Sequence, residues 1–317
     1  MQDQFHREIN YVRLSITQRC NLRCVYCRPD ACPESQDSHL LSVDEIARIT
    51  SALSELGITK VRLTGGEPLL RLDLEDIVRA VSRTPGITDI SLSTNGQGLA
   101  PRAPGLKAAG LNRVNISLDT LQSDKYQTIT GGGSLKEVLE GIDACLACGL
   151  LPVKLNTVLV RGMNDDEIDT LIELTHHRPL AVRFIELMPL NDMGRDPDRQ
   201  ISGADILASH SDLMLLPVRD AGQPSEDYRL PGYEGTVGFI RPISHRFCQD
   251  CNRIRITADG MIKPCLGNDG EISLLPALLQ DDAALKEMIR QTIFNKPEGH
   301  HFDHSFHPER GMNRTGG

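Results

Sequence analysis

Strand-like and helix-like segments alternate six times up to residue 186, and this alternation limits the possible folds more than any other feature of the chain. Residues 11–17, 60–64, 89–94, 113–118, 152–160 and 182–186 read as strands. Helical patterns separate them, clearest over residues 135–147 and over residues 43–56, where Ser42-Val-Asp-Glu45 has the form of a capping box. Strands joined by helices become neighbours in a parallel sheet, since a parallel pair needs a long crossover. The expected fold is therefore α/β, a parallel (β/α)6 partial barrel, with chemistry just past the strand ends. Beyond about residue 195 the alternation breaks down, and Pro, Gly and Asp become frequent through residues 217–235. The expected organisation is a barrel over residues 1–225 and a separate C-terminal region over 226–317.

The first expected strand runs into Cys20-Asn-Leu-Arg-Cys24-Val-Tyr26-Cys27. Three thiolates on so short a loop can hold three corners of a 4Fe–4S cube and leave one iron open to a ligand. A structural zinc site closes its sphere with four ligands, and His6 or His39 is near enough in sequence to serve as the fourth. The chain has 317 residues and nine cysteines, and its start has no secretory pattern, so metal ligation is expected over disulfides and the expected compartment is the cytoplasm. No apolar run approaches a membrane span. A net charge of −9 argues against a general nucleic-acid binder but leaves room for a local anion site.

The C-x3-C-x2-C pattern with an aromatic before its last cysteine resembles that of radical S-adenosylmethionine (SAM) enzymes. The resemblance implies that the open iron chelates SAM. It also implies SAM contacts for the backbone of Tyr26, for Gly66 in Gly65-Gly66-Glu67-Pro68, for Ser117 and for Met188. From their own residue types these would be a packed aromatic, a strand-to-helix turn, a turn hydroxyl and a gap-filling core side chain.

A second set, Cys248-Gln-Asp-Cys251, is followed after thirteen residues by Cys265. Again there are three ligands; a second cube fits, as does a zinc knuckle completed by His245. Arg253 and Arg255 lie between, on one face of an expected strand, and two guanidiniums there make an anion site.

Together these features resemble the GTP 3′,8-cyclase family of molybdenum cofactor biosynthesis. The shared segments include Leu14-Ser-Ile-Thr-Gln-Arg-Cys20, Val61-Arg-Leu-Thr-Gly-Gly-Glu-Pro68, Val114-Asn-Ile-Ser-Leu-Asp119, Arg183-Phe-Ile-Glu-Leu-Met188, Phe247-Cys-Gln-Asp-Cys-Asn-Arg253 and the terminal Gly316-Gly317. The resemblance implies two 4Fe–4S clusters, on Cys20, Cys24 and Cys27 and on Cys248, Cys251 and Cys265. It implies GTP contacts at Arg13, Arg62, Ser93, Lys154, Arg253 and Arg255, and a Gly316-Gly317 tail that enters the pocket and meets its arginines. Arg13, Arg253, Arg255, Gly316 and Gly317 are thus the catalytic candidates. The implied reaction forms 3′,8-cyclo-7,8-dihydro-GTP after a 5′-deoxyadenosyl radical takes the 3′ hydrogen of the GTP ribose. A flavodoxin- or ferredoxin-type electron donor and a homodimer are also implied.

Three positions depart from the family pattern: Gln18 where aspartate is usual, Ser93 for threonine, and Thr315 before the glycines where an aliphatic residue is common. Cys145 and Cys148 read as helix cysteines, Cys32 has no ligand role, and His300, His301, His304 and His307 read as solvated or packing residues. The competing readings are a radical SAM peptide-modifying maturase with an auxiliary cluster and a non-catalytic zinc-binding protein.

Overall fold

The structure, a computed structural model, describes residues 1–27, 39–218, 220–302 and 310–316. Its centre is one sheet in the order β12-β11-β10-β1-β2-β3-β4-β5-β6-β9-β8-β7. The six anticipated strands are β1 (Tyr11–Ser15), β2 (Lys60–Thr64), β3 (Asp89–Thr94), β4 (Arg113–Ser117), β5 (Val153–Leu159) and β6 (Leu180–Glu186). The remaining strands are β7 (Met214–Leu215), β8 (Ser225–Arg229), β9 (Thr236–Ile240), β10 (Arg253–Ile256), β11 (Met261–Lys263) and β12 (Ile272–Ser273). Among the described residues six α-helices lie between β1 and β6: α1 (Val43–Glu55), α2 (Leu74–Ser82), α3 (Ala103–Ala109), α4 (Ser123–Thr130), α5 (Leu135–Ala147) and α6 (Ile168–Glu173).

Strict alternation along the strands divides the barrel into two chemistries. Val12, Leu14, Val61, Leu63, Ile90, Leu92, Val114, Ile116, Val153, Leu155, Val182 and Phe184 are buried in the hydrophobic core. That face packs on the helices, whose apolar stripes, such as Ile46, Ile49 and Leu53 of α1, close over it. The intervening residues, among them Arg13, Arg62, Ser93, Asn115, Asn156 and Arg183, line an internal cavity. The anticipated capping box of α1 is formed, with Glu45 N–H donating to Ser42 Oγ (3.2 Å) and Ser42 N–H to Glu45 Oε2 (2.8 Å).

Where the alternation breaks down in the sequence, the sheet continues. β9 joins β6 and β10 joins β1, both parallel, so the C-terminal region borders the barrel on both edges. Helix–strand periodicity does not reveal this, because neither added strand is reached through a regular helical crossover. Asn10 and Tyr11 N–H both donate to Asn252 O and start the β1–β10 pairing. Among the described residues no helix is long and apolar enough to cross a membrane.

Candidate active site

One cavity of about 340 Å³ inside the barrel is lined by Cys20, Cys24, Cys27, Cys248, Cys251 and Cys265 together. Tyr26, Gly66, Ser93, Ser117, Met188, Arg13, Arg62, Arg253 and Arg255 line it as well. The first cysteine loop follows the C-terminal end of β1, whereas Cys248 and Cys251 precede β10. Because Tyr11 pairs with Arg253 in the parallel β1–β10 ladder, the two triplets sit at opposite ends of the cavity. Only the first lies past a parallel strand's C-terminal end, where barrel chemistry was expected. β10 lies in register beside β1, so the loop that enters β10 sits at the other end.

Each C-x2-C closes a turn, with Cys27 N–H donating to Cys24 O (3.0 Å) and Cys251 N–H to Cys248 O (3.3 Å). No disulfide joins the described cysteines, and among the described residues no three His, Cys, Asp or Glu form the close group a single metal ion needs. His6, His39 and His245 do not line the cavity; His39 pairs with Glu45 at 3.2 Å and His245 faces Glu226 at 3.8 Å. Three thiols on one turn-containing loop, with no fourth ligand from these imidazoles, fit a cube with an open iron.

The first loop is fastened to the barrel by carboxylates and glycines. Tyr26 donates its hydroxyl to Asp119 Oδ2 (2.6 Å), and Val158 N–H donates to Asp119 Oδ1 (2.9 Å). Burial pushes Asp119 up to about 6 against these two hydrogen bonds. Glu67 is likewise pushed up by burial, to about 7, while Asn95 N–H, Leu69 N–H and the Thr94 hydroxyl pull the other way. Gly65 and Gly66 were expected to admit a ligand to the backbone, yet their closest neighbour is the chain itself. A Cβ on Gly66 would lie 2.3 Å from Arg19 O, and one on Gly65 2.4 Å from Thr17 O. This close approach lets Gly66 N–H reach Thr17 O (2.8 Å) and Glu67 N–H reach Arg19 O (2.7 Å), which sets the course of the chain into Cys20.

The other end is cationic. Arg13 pairs across the sheet with Arg62 on one side and Arg255 on the other, so three guanidiniums stand abreast on neighbouring strands about 4.8 Å apart. Arg183 joins them from β6, donating to Asn115 Oδ1 and Asn156 Oδ1, both at 2.7 Å. Burial depresses Arg255 to about 9, with Arg13 and Arg253 adding to the effect. Burial depresses Arg183 to about 10; Asp227 offsets this and Arg113 adds to it. The Nε atoms of Arg13, Arg183 and Arg253 are buried with no hydrogen-bond partner among the described residues. Uncompensated buried cations with donors to spare are a site built for a polyanion.

Lys154 does not line the cavity. It lies beneath, close enough to Arg183, Arg113 and Arg62 that burial first, and these cations next, bring it down to about 7. Gly316 lies against Thr64, the last residue of β2, and its carbonyl accepts from Arg255 Nη1. Gly317, Cys32, His304 and His307 lie outside the described residues. His300 does line the cavity and accepts no metal role from its geometry; its Nε2 meets Pro242 O at 3.0 Å. Cys145 is buried in α5 and Cys148 is its C-cap.

Sequence reasoning missed Arg183, although a charge between Val182 and Phe184 in a strand is the same signal that singled out Lys154. It also missed Arg7. This buried side chain donates to Cys248 O (2.9 Å), Glu298 O (2.7 Å) and Pro297 O (2.6 Å), and its Nε meets Asp3 Oδ2 at 2.7 Å. Arg7 thus ties the second cysteine loop to the N-terminal segment, and nothing in the local pattern announces it.

Known proteins show which family the chain is similar to. The family model described as Radical SAM superfamily matches residues 14–175, and that described as Molybdenum Cofactor Synthesis C matches residues 180–302. A GTP 3′,8-cyclase of Alkaliphilus oremlandii is 46% identical over 321 residues, covering 100% of both chains. A GTP 3′,8-cyclase of Pelotomaculum thermopropionicum is 47% identical over 326 residues, again covering 100% of both. Among solved structures, Streptococcus suis SuiB bound to its precursor peptide SuiA aligns with a TM-score of 0.61 at 14% identity, over 92% of this chain and 66% of that one. SuiB bound to S-adenosylmethionine aligns at 0.59, and this chain spans 64% of its length. At such identities these structures show the shared fold alone. The chain belongs to the radical SAM superfamily and, within it, to the GTP 3′,8-cyclase family, whose membership brings a 4Fe–4S cluster and S-adenosylmethionine as cofactors.

Proposed function

We propose that the chain converts GTP to 3′,8-cyclo-7,8-dihydro-GTP, the first step of molybdenum cofactor biosynthesis, by radical SAM chemistry. The observation that carries this reading is the single cavity with a cysteine triplet at each end and five arginines among its lining residues, Arg13, Arg62, Arg183, Arg253 and Arg255. When bound, the first cluster and SAM supply one-electron chemistry at the substrate ribose. Cys20, Cys24 and Cys27 hold that cluster. Tyr26, Gly66, Ser117 and Met188 would hold SAM, whose sulfonium suits the end that Glu67 lines.

Cys248, Cys251 and Cys265 would hold a second 4Fe–4S cluster, which would supply a metal anchor for the guanine base. Arg13, Arg62, Arg183, Arg253 and Arg255 take the triphosphate, with Lys154 reinforcing their field from beneath and Ser93 adding a hydroxyl. Gly316 and Gly317 bring backbone, without side chains, to the arginines. With each ligand bound at its own end, the ribose between them faces SAM, and C3′ is held for bonding to C8. The chain's contribution is this alignment and the exclusion of water. The enzyme works in the cytoplasm as a homodimer and takes electrons from a small flavodoxin- or ferredoxin-type protein. Anaerobic turnover with GTP, SAM and dithionite, read by mass spectrometry, tests the proposal. The expected product is the cyclised nucleotide; SAM cleavage with GTP unchanged would refute it.

A further inference from the structure

The C-terminal segment returns to the barrel by a set of side-chain bonds that the glycines alone do not account for. Arg310 Nη1 donates to Asp259 Oδ2 (2.7 Å) and its Nε lies 2.9 Å from Glu271 Oε2. A helical turn, Met312–Thr315, follows, and Thr315 is buried with 3% exposure. From this turn two side chains converge on one residue. Arg314 Nε donates to Gln18 Oε1 (2.9 Å), and Asn313 Nδ2 donates to the Gln18 carbonyl (3.3 Å). Gln18 is itself 5% exposed and stands two residues before Cys20.

Past this contact the chain turns left-handed at Gly316, with φ of 78°. Any Cβ there would come within 2.7 Å of Thr64 Cγ2, while the carbonyl accepts from Arg255. The position of Gly316 is thus set by a turn whose side chains bond to Gln18. A carboxamide suits this place. Its oxygen accepts a charge-assisted bond from the Arg314 guanidinium.

We infer that Gln18 and Arg314 are positioning residues: they latch the tail to the segment leading into the first cysteine, and so hold the Gly316 carbonyl on Arg255. The catalytic consequence rests on the function proposed above, whereas the latch itself can be read without turnover. Hydrogen exchange of the Arg314, Thr315 and Gly316 amides, which donate to Gly311 O, Gly311 O and Met312 O, reports tail docking. It is measured on the anaerobically reconstituted full-length protein, its iron content checked, and on Arg314→Ala, Gln18→Ala, the double variant and Gln18→Glu.

Each alanine variant is expected to speed tail exchange roughly tenfold, the scale of one hydrogen bond to a charged group. The double variant should be no faster than either single one, since both remove the same contact. Gln18→Glu should slow exchange, and this slowing should vanish when Gln18→Glu is combined with Arg314→Ala. In turnover, Arg314→Ala should lower kcat/KM for GTP while SAM cleavage continues. Single variants with wild-type tail exchange, or a double variant whose factor is the product of the single ones, would overturn the latch. A freed tail with undiminished product formation would overturn its positioning role. If the wild type forms no cyclised nucleotide while the exchange cycle behaves as stated, the latch stands and the proposed function falls.

Discussion

Cys24 and Cys251 stand at opposite ends of one cavity, and burial acts on both thiols in the same direction, yet their neighbours pull them apart. At Cys24 burial raises the pKa and Asp119, Cys27 and Cys20 raise it further. At Cys251 burial also raises it, but Lys296, Arg253 and Arg7 outweigh that and bring the thiol down to about 7. The contrast belongs to these two residues: at Cys265, beside Cys251, burial raises the pKa against the pull of Lys296. One end has Glu67 in its lining and Asp119 behind Tyr26, both fastening the cysteine loop through hydrogen bonds, a setting that would suit a sulfonium. The other is crowded with guanidiniums and suits a polyphosphate. The two cysteine sets offer the same donors, so in the proposed function the surrounding charge is what would distinguish a SAM end from a GTP end.

The sharpest way to break this comparison is to remove one ligand at each end. Cys24→Ala is expected to abolish reductive SAM cleavage. Cys251→Ala should abolish GTP conversion while some uncoupled SAM cleavage survives. Both rates are read by chromatography, with circular dichroism to confirm folding. Equal and total loss of SAM cleavage in two folded variants would show that the ends do not divide the work.

Next in size is the tail. Deleting Gly316 and Gly317 should leave iron content and SAM binding intact, since two glycines bury little apolar surface. Product formation at saturating GTP and SAM should fall strongly, because Arg255 loses the carbonyl it donates to. A full-length rate from the truncated chain would remove the tail from the account.

Smaller effects are expected from single members of the arginine row. Arg13→Ala, Arg183→Ala or Arg253→Ala should each weaken GTP binding by about 1.5–3 kcal/mol, the range for a charge-assisted hydrogen bond, with SAM affinity unchanged. Calorimetry on both ligands checks this, and guanosine should bind much more weakly than GTP. Equal binding of guanosine and GTP would contradict an anion site.

The smallest and most specific effect concerns Lys154. Its pKa of about 7 in the empty cavity lies below the ordinary 10.5, so between these values the unfolded chain binds more protons than the folded one. This residue's contribution to the empty protein's stability therefore grows as pH rises from 7 toward 10.5 and is lost as pH falls through 7. A bound triphosphate would favour the charged ammonium. GTP binding at pH 8 should accordingly take up a proton, and affinity should fall as pH rises above 7. Calorimetry in buffers of different ionisation enthalpy reads the uptake, and Lys154→Met should abolish it.

Much of the barrel was legible because apolar and polar residues alternate in short segments between capped helices. The start and end of β2, β3 and α5 match the expected spans residue for residue. The C-x-x-C pairs were legible because close spacing in sequence forces closeness in space, whereas Cys265 rejoins its pair through the antiparallel β10–β11 turn. What stayed hidden depends on contacts between distant segments. β9 and β10 attach to β6 and β1 by pairings more than fifty residues apart in sequence for β9 and over two hundred for β10. The grip of Arg7 on Cys248 spans 241 residues and that of Arg314 on Gln18 spans 296. Gly65 and Gly66 show the same limit in another form. Their need for small size was evident, but not that the crowding neighbour is the backbone of Thr17–Arg19 rather than a ligand alone.

The central claim is that the two ends bind their ligands at once and bring ribose to SAM in one cavity. Anaerobic turnover with GTP deuterated at C3′ tests it most directly, with the 5′-deoxyadenosine isolated and weighed by mass spectrometry. The account predicts one deuterium in that product, matched to the amount of cyclised nucleotide formed. Unlabelled 5′-deoxyadenosine alongside converted GTP would mean that the ribose does not meet SAM in this cavity.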